Sequence, residues 1–197
     1  NNLVPYLGRL YNEASARGSA LVLGLVRASD DGSNYFNSVA ALGAEGVGWY
    51  DKHHLVPFAE FFPVPKFVRR WLRLMSLPYS DFTPGPAVQP PLNAAGLSLA
   101  AGVCYEDAYG STLARALPRA DALVNVTNDA WFGHSTARYQ HFQIARMRAI
   151  EAGRFLVRAA NDGVSAVIGP RGEVVARAPE YTATVLRATI TPRTGLP

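Results

Sequence analysis

Two short apolar runs constrain this chain most: Leu97-Ser98-Leu99-Ala100-Ala101-Gly102-Val103 and Ala122-Leu123-Val124-Asn125-Val126-Thr127. Each is short, rich in small and β-branched residues, and bounded by polar or turn residues, which is the pattern of a buried strand. Ala20 to Val26 and Tyr35 to Leu42 read the same way, separated by Ser29-Asp30-Asp31-Gly32-Ser33-Asn34, with Gly43 to Gly48 closing the hairpin. Phe155 to Ala160, Ser165 to Ile168 and Glu173 to Ala178 follow, the last two joined by Gly-Pro-Arg-Gly at 169–172. Helical spacing appears in Tyr6, Leu7, Leu10, Tyr11 and Ala14, which Gly18 stops, and again from Thr136 to Ala152. Strands interleaved with helices predict an α/β or layered α+β domain with a mixed sheet. A proline-rich loop lies at 84–91, but neither a repeat nor an internal linker is visible, so 1–197 reads as one domain.

With 49% hydrophobic and 17% charged residues, the 197-residue chain has the balance of a folded protein and not of a disordered one. A net charge of +4 sets no strong field, so charge selects no partner and gives no reason to expect nucleic acid. No run reaches the roughly 18 to 20 apolar residues that a membrane helix needs. The chain opens on Asn1-Asn2-Leu3-Val4-Pro5 without a starting Met and reads as part of something longer, incomplete at its N-terminus.

A lone cysteine is as a rule a small buried hydrophobe. Cys104 has a more particular place, at the end of a predicted buried strand, where a reactive group is rigidly held yet reachable and backbone N–H groups face developing negative charge. Tyr105, Glu106 and Asp107 follow it, and two carboxylates beside a thiol raise its pKa unless a cation offsets them. Lys52, one of only two lysines, is the candidate cation; its ordinary alternative is a solvated lysine at a hairpin end.

Residues 66–75 place Phe67, Val68, Trp71, Leu72, Leu74 and Met75 on one helical face and Lys66, Arg69, Arg70 and Arg73 on the other. That is the pattern of a basic interfacial helix, or of a surface helix packed on its own domain. His53, His54, His134 and His141 show no metal-site spacing, so no metal is expected. Arg146, Arg148, Arg154 and Arg158 are expected to pair with Glu151 and Asp162. Asn128, Asp129 and Trp131 either line a cleft or form a plain turn.

Several fragments taken together resemble the apolipoprotein N-acyltransferases of the nitrilase superfamily. They are Tyr50-x-Lys52-x-x-Leu55-Val56-Pro57-Phe58-x-Glu60, Cys104-Tyr105-Glu106, Asn128-Asp129-Ala130-Trp131-Phe132-Gly133, and Gln140-His141 with Ala145-Arg146-x-Arg148-Ala149-x-Glu151. They occur in family order, and the similarity runs from about residue 7 to Thr191-Pro192-x-Thr194-Gly195-Leu196. The resemblance implies a nitrilase-like four-layer αββα sandwich with mixed sheets and a Glu-Lys-Cys triad. It implies Cys104 as nucleophile, Lys52 as triad lysine, Glu60 and Glu106 as site carboxylates, and Tyr105 as a site residue whose backbone N–H helps form an oxyanion hole. Asn128, Asp129, Trp131, Phe132, Trp71 and Phe67 become substrate-binding candidates, the last two on a membrane-facing lid.

The implied reaction moves a fatty acyl chain from a phospholipid, through a cysteine thioester, to the N-terminal α-amine of an apolipoprotein's diacylglyceryl cysteine. No cofactor is implied. The implied location is the bacterial inner membrane, with the domain on its periplasmic side and in contact with the membrane surface. Two departures stand out. The family's general-base glutamate lies in a Trp-Pro-Glu segment that would precede Asn1, so the resemblance implies that residues 1–197 alone are inactive, and Ala59 stands where the family usually has Gly. Two other readings remain: a soluble nitrilase-type amidase, which would have no use for the 61–80 insertion, and an inactive lipid- or partner-binding fragment.

Overall fold

The computed structural model describes residues 3–64 and 82–195. The predicted lid at 66–75, with Phe67 and Trp71, lies outside the described residues. Helix α1 (Leu3–Ala16) leads into an antiparallel sheet of β1 (Leu21–Ala28), β2 (Tyr35–Gly43) and β3 (Gly46–Asp51). The second sheet contains β4 (Leu92–Ala94), β5 (Leu97–Val103), β6 (Ala122–Asn128), β7 (Leu156–Asn161), β8 (Ala166–Ile168) and β9 (Val174–Arg177), hydrogen-bonded in that order. Strands β5, β6 and β7 are parallel and their outer neighbours antiparallel, so the sheet is mixed. Helices α2 (Gly110–Ala116) and α3 (Ala137–Ala152) make the parallel crossovers.

Alternation along the strands builds the layers. Leu99, Ala101 and Val103 of β5, with Ala122, Val124 and Val126 of β6, face Val39, Ala41 and Tyr50 of the first sheet and form the core between the sheets. The residues between them, Ala100 and Leu123, turn the other way, to Phe142, Ala145, Ala149 and Ala152 of α3 and to Leu113 of α2. Helix α1 packs on β1 and β2, where the Tyr11 hydroxyl donates to the Gly43 carbonyl at 3.4 Å. The order of layers is helix, sheet, sheet, helix, as the family resemblance implied.

Some local expectations need amendment. Residues 46–51 are not merely a hairpin closure but a full strand, because Gly43 and Gly46 turn the chain back along β2. Helix α2 was not read from the sequence: seven residues with Leu113 as their only buried member carry too little periodicity.

One glycine is dictated by packing. A Cβ at Gly85 would sit 2.2 Å from the Asp51 carbonyl oxygen, and the Gly85 N–H donates to the Lys52 carbonyl at 2.8 Å. The proline-rich loop is thereby pressed onto the end of β3, where Gln89 also bonds the Asp51 backbone at both N and O. Gly85→Ala is expected to lower unfolding free energy by about 1–3 kcal/mol through overpacking. Gly8→Ala in α1, where nothing lies within 4 Å of the added Cβ, is expected to raise it by up to about 1 kcal/mol. Denaturant titration of the two variants beside the parent checks both signs.

Candidate active site

Strand β5 delivers Cys104 to a short 3₁₀ turn, Cys104–Ala108, at the carboxyl end of the parallel strands. Cys104 is half-buried and has φ of +51°, a left-handed conformation that on the order of 1–3 kcal/mol disfavours in a residue with a side chain. Surrounding contacts must hold it. Glu106, almost fully buried, accepts from the Val103 N–H at 2.9 Å, closing the turn on itself. Its other oxygen accepts from the Tyr50 hydroxyl at 3.0 Å and from the backbone N–H groups of His53 and His54 at 2.8 and 3.1 Å. Burial, then the Glu106 charge, pushes the Tyr50 phenol well above its ordinary value.

Glu106 therefore tethers the cysteine turn to the segment that carries Lys52. Lys52 is 1% exposed, not a solvated hairpin lysine, and its ammonium donates to Glu60 Oε2 at 2.7 Å. Glu60 is fixed in turn by the Val56 N–H at 2.7 Å and the Asn37 amide at 2.8 Å. A buried ammonium needs such a carboxylate, since unpaired it would lose its proton.

A second network lies beneath Cys104. The Arg158 guanidinium, 2% exposed, donates from Nη1 to Asp107 Oδ2 and Asn125 Oδ1, each at 2.9 Å, and from Nη2 to Asp129 Oδ2 at 3.0 Å. His141 lies with Nδ1 2.9 Å from Asp129 Oδ1 and Nε2 3.2 Å from the Cys104 carbonyl oxygen. A Cβ at Gly163 would come within 2.3 Å of Asp129 Oδ2, so only glycine lets the carboxylate sit there. The expectation that Arg158, among the four arginines, pairs with Glu151 or Asp162 is thus corrected: an arginine on a buried strand takes the buried acids Asp107 and Asp129. Arg148 does pair with Glu151 at 2.7 Å, whereas Arg154 bonds the carbonyls of Ala120, Ala152 and Gly195.

The carboxylates next to the thiol in sequence are both engaged elsewhere, Glu106 on backbone N–H groups and Asp107 on Arg158 and Asn125. Asp129 is 0% exposed and faces this network, while Asn128 caps the turn by accepting from the Ala130 N–H. Trp131 is 86% exposed, and Phe132 meets His141 edge-on at 5.9 Å. Tyr105 is exposed beside Tyr109. Sequence reasoning missed Asp107, Asn125, His141 and Arg158 as one group. The available signal was Asn125 and Arg158 inside runs otherwise apolar, since buried polar residues are seldom idle.

The Cys104 thiol, a His141 ring nitrogen and an Asp129 oxygen all lie within 4.8 Å of one another. Thiolate, imidazole and carboxylate are donors for zinc, but Arg158 within hydrogen-bond distance of both Asp129 and His141 sets a fixed positive charge against any cation.

A half-buried cysteine on a left-handed turn, tethered to a buried lysine–glutamate pair, accords with the family profile matching residues 2–195, that of the carbon-nitrogen hydrolases. The chain belongs to the carbon-nitrogen hydrolase family. It is 46% identical over 191 residues to an apolipoprotein N-acyltransferase of Chromobacterium violaceum, covering 97% of this chain and 37% of that protein. To those of Pseudomonas aeruginosa and Methylococcus capsulatus it is 40% and 43% identical, covering 97% and 96% of this chain and 38% of each relative. The chain spans less than two-fifths of the length of these relatives. Two solved structures share the fold. A carbon-nitrogen hydrolase from Helicobacter pylori G27 matches with TM-score 0.64 and 20% identity, over 90% of this chain and 63% of that one. A CN-hydrolase superfamily protein from Xanthomonas campestris matches with TM-score 0.68 and 20% identity, over 95% and 68%.

In this carbon-nitrogen hydrolase the two acids on Arg158 titrate in opposite directions. Burial pushes Asp107 up from 3.8 to about 6 despite the opposing charges of Arg158 and His141. Burial also opposes ionisation of Asp129, but the His141 hydrogen bond and the Arg158 charge outweigh it and hold the carboxyl below 3.8. Between pH 3.8 and about 6 the folded protein keeps an Asp107 proton that the unfolded chain has released, so this term loses stability as pH rises through that window. The Asp129 term is present above 3.8 and fades only as pH falls below it. Denaturation midpoints measured from pH 4 to 7 are expected to show a downward contribution that Asp107→Asn removes; an identical slope in the variant would contradict the assignment.

Proposed function

We propose that this domain performs the acyl transfer named for its relatives, taking a fatty acyl chain from a phospholipid onto Cys104 and passing it to the α-amine of a lipidated N-terminal cysteine. The observation that carries this reading is the buried Lys52–Glu60 pair held against the Cys104 turn by Glu106, in a chain 40–46% identical to proteins of that name. No metal or organic cofactor enters the reading.

In the first half the Cys104 thiolate attacks the ester carbonyl. A C–S bond forms, the C–O bond breaks, and the departing alkoxide takes from the general base the proton that the thiol gave it, leaving as a lysophospholipid and freeing the base. The thiol proton goes to the general-base glutamate, which the family resemblance sets upstream of Asn1. Lys52 and the Tyr105 N–H stabilise the oxyanion. In the second half the neutral amine attacks the thioester, a C–N bond forms as C–S breaks, and the base takes the amine proton. An N-terminal amine of pKa about 7.7–8.0 is partly neutral near pH 7, so this step needs no stronger base.

Exposed aromatic residues on the site loops support a lipid-borne substrate. Phe58 is 68% exposed between Lys52 and Glu60, and Trp131 is 86% exposed beyond Asp129. Such side chains suit the membrane surface, here the periplasmic side of a bacterial inner membrane. Among the described residues no helix is long and apolar enough to cross a membrane.

Acylation of a synthetic diacylglyceryl peptide by the full-length protein in phosphatidylethanolamine vesicles is the test. Wild type is expected to give product with ping-pong kinetics, and Lys52→Met to lose at least about 100-fold in kcat, as for removal of an oxyanion donor. Hydrolysis of small amides with no peptide acylation would instead identify an amidase.

A further inference from the structure

The Cys104 carbonyl receives two side-chain donors, His141 Nε2 at 3.2 Å and Asn125 Nδ2 at 3.3 Å. A carbonyl oxygen only accepts, so His141 carries a proton on Nε2 and that nitrogen is no base for the adjacent thiol. At its other nitrogen, Nδ1, the ring is gripped by Asp129 at 2.9 Å and approached by Arg158 Nη2 at 3.0 Å. Asp129 is itself fixed by Thr127 at 2.9 Å and by Arg158. Neither ring nitrogen is free to touch substrate, yet the whole arrangement ends on one backbone oxygen.

That oxygen belongs to the peptide joining Cys104 to Tyr105, which is planar and trans, so its C=O and the Tyr105 N–H point in opposite directions. Fixing the carbonyl fixes the N–H. With Cys104 at φ of +51°, the peptide would relax toward ordinary backbone if the carbonyl were released.

We propose that His141, oriented by Asp129, is a positioning residue that aims the Tyr105 N–H at the oxyanion by holding the Cys104 carbonyl. Asn125 supplies the second donor to the same oxygen. This rests on the acyl-cysteine chemistry proposed above but not on the identity of the acyl donor.

The test therefore uses a p-nitrophenyl fatty ester, which acylates a reactive cysteine whatever the natural donor, together with iodoacetamide, whose iodide the thiolate displaces without developing an oxyanion. His141→Asn keeps the contact to Asp129 and cannot reach the Cys104 carbonyl, whereas His141→Gln places its amide N–H near the position of Nε2. In the full-length protein His141→Asn is expected to cut kcat for acylation about 100-fold, the scale of a misaligned catalytic group, with little change in KM. Its iodoacetamide rate and the pH profile of that rate are expected to match wild type, and His141→Gln to recover most of the acylation rate. Where His141→Asn fails to fold, His141→Met takes its place, filling the ring's volume without a donor.

Equal loss in Gln and Asn variants, or unimpaired acylation in the Asn variant, overturns the proposal. A shifted iodoacetamide pH profile also overturns it, because His141 would then act on the thiol. Wild-type acylation by the ester without acylation by phospholipid vesicles would sink the phospholipid reading and leave this one standing.

Discussion

A guanidinium with almost no access to water is the fixed point of this structure. Arg158 on β7 is buried beneath Cys104 and holds Asp107, Asn125 and Asp129, with His141 alongside. Burying the charge is costly unless it is paired; here Nη1 and Nη2 are both engaged while Nε has no hydrogen-bond partner among the described residues, and the acids and amide that engage the guanidinium cannot move independently. The strands around them inherit that rigidity. Asn125 lies on β6 directly opposite Arg158 in the parallel register, Asp107 lies in the cysteine turn, and Asp129 lies just past the end of β6. Three adjacent chain segments are therefore locked at the carboxyl ends of the parallel strands, where β5 delivers Cys104.

Glu106 performs the corresponding task toward the other sheet. A single carboxylate takes N–H groups from Val103, His53 and His54 and the hydroxyl of Tyr50. This is a polar joint between the two halves of the sandwich, set beside a buried cluster that is mostly Val, Ala and Leu. Lys52 precedes His53, so the ammonium's place relative to the thiol depends on this joint more than on any direct contact.

The fold was legible because the strands that make it alternate or run apolar. β5 and β6 could be read from their composition, and β7 to β9 from their turns. Helix α3 was readable because Phe142, Ala145, Ala149 and Ala152 recur at helical spacing. Strand β3 was harder: Gly46-Val47-Gly48-Trp49 has two glycines and no apolar run, and it is a strand because β2 offers a partner. At the site, Cys104, Lys52, Glu60 and Glu106 were readable as motif members, but the motif could not show that Glu106 ends on backbone N–H groups. The Arg158 group stayed hidden because its members are 51 residues apart in sequence, from Asp107 to Arg158, and meet only through strand register.

The proposed chemistry requires Cys104 to carry the acyl chain, and the most direct measurement is peptide mass mapping of the full-length protein after incubation with phosphatidylethanolamine vesicles. One fatty acyl adduct is expected on the peptide containing Cys104, released by hydroxylamine as a thioester must be, and absent from Cys104→Ala. An unmodified Cys104 peptide under turnover, with acylated peptide product still accumulating, would contradict it and place the chemistry elsewhere.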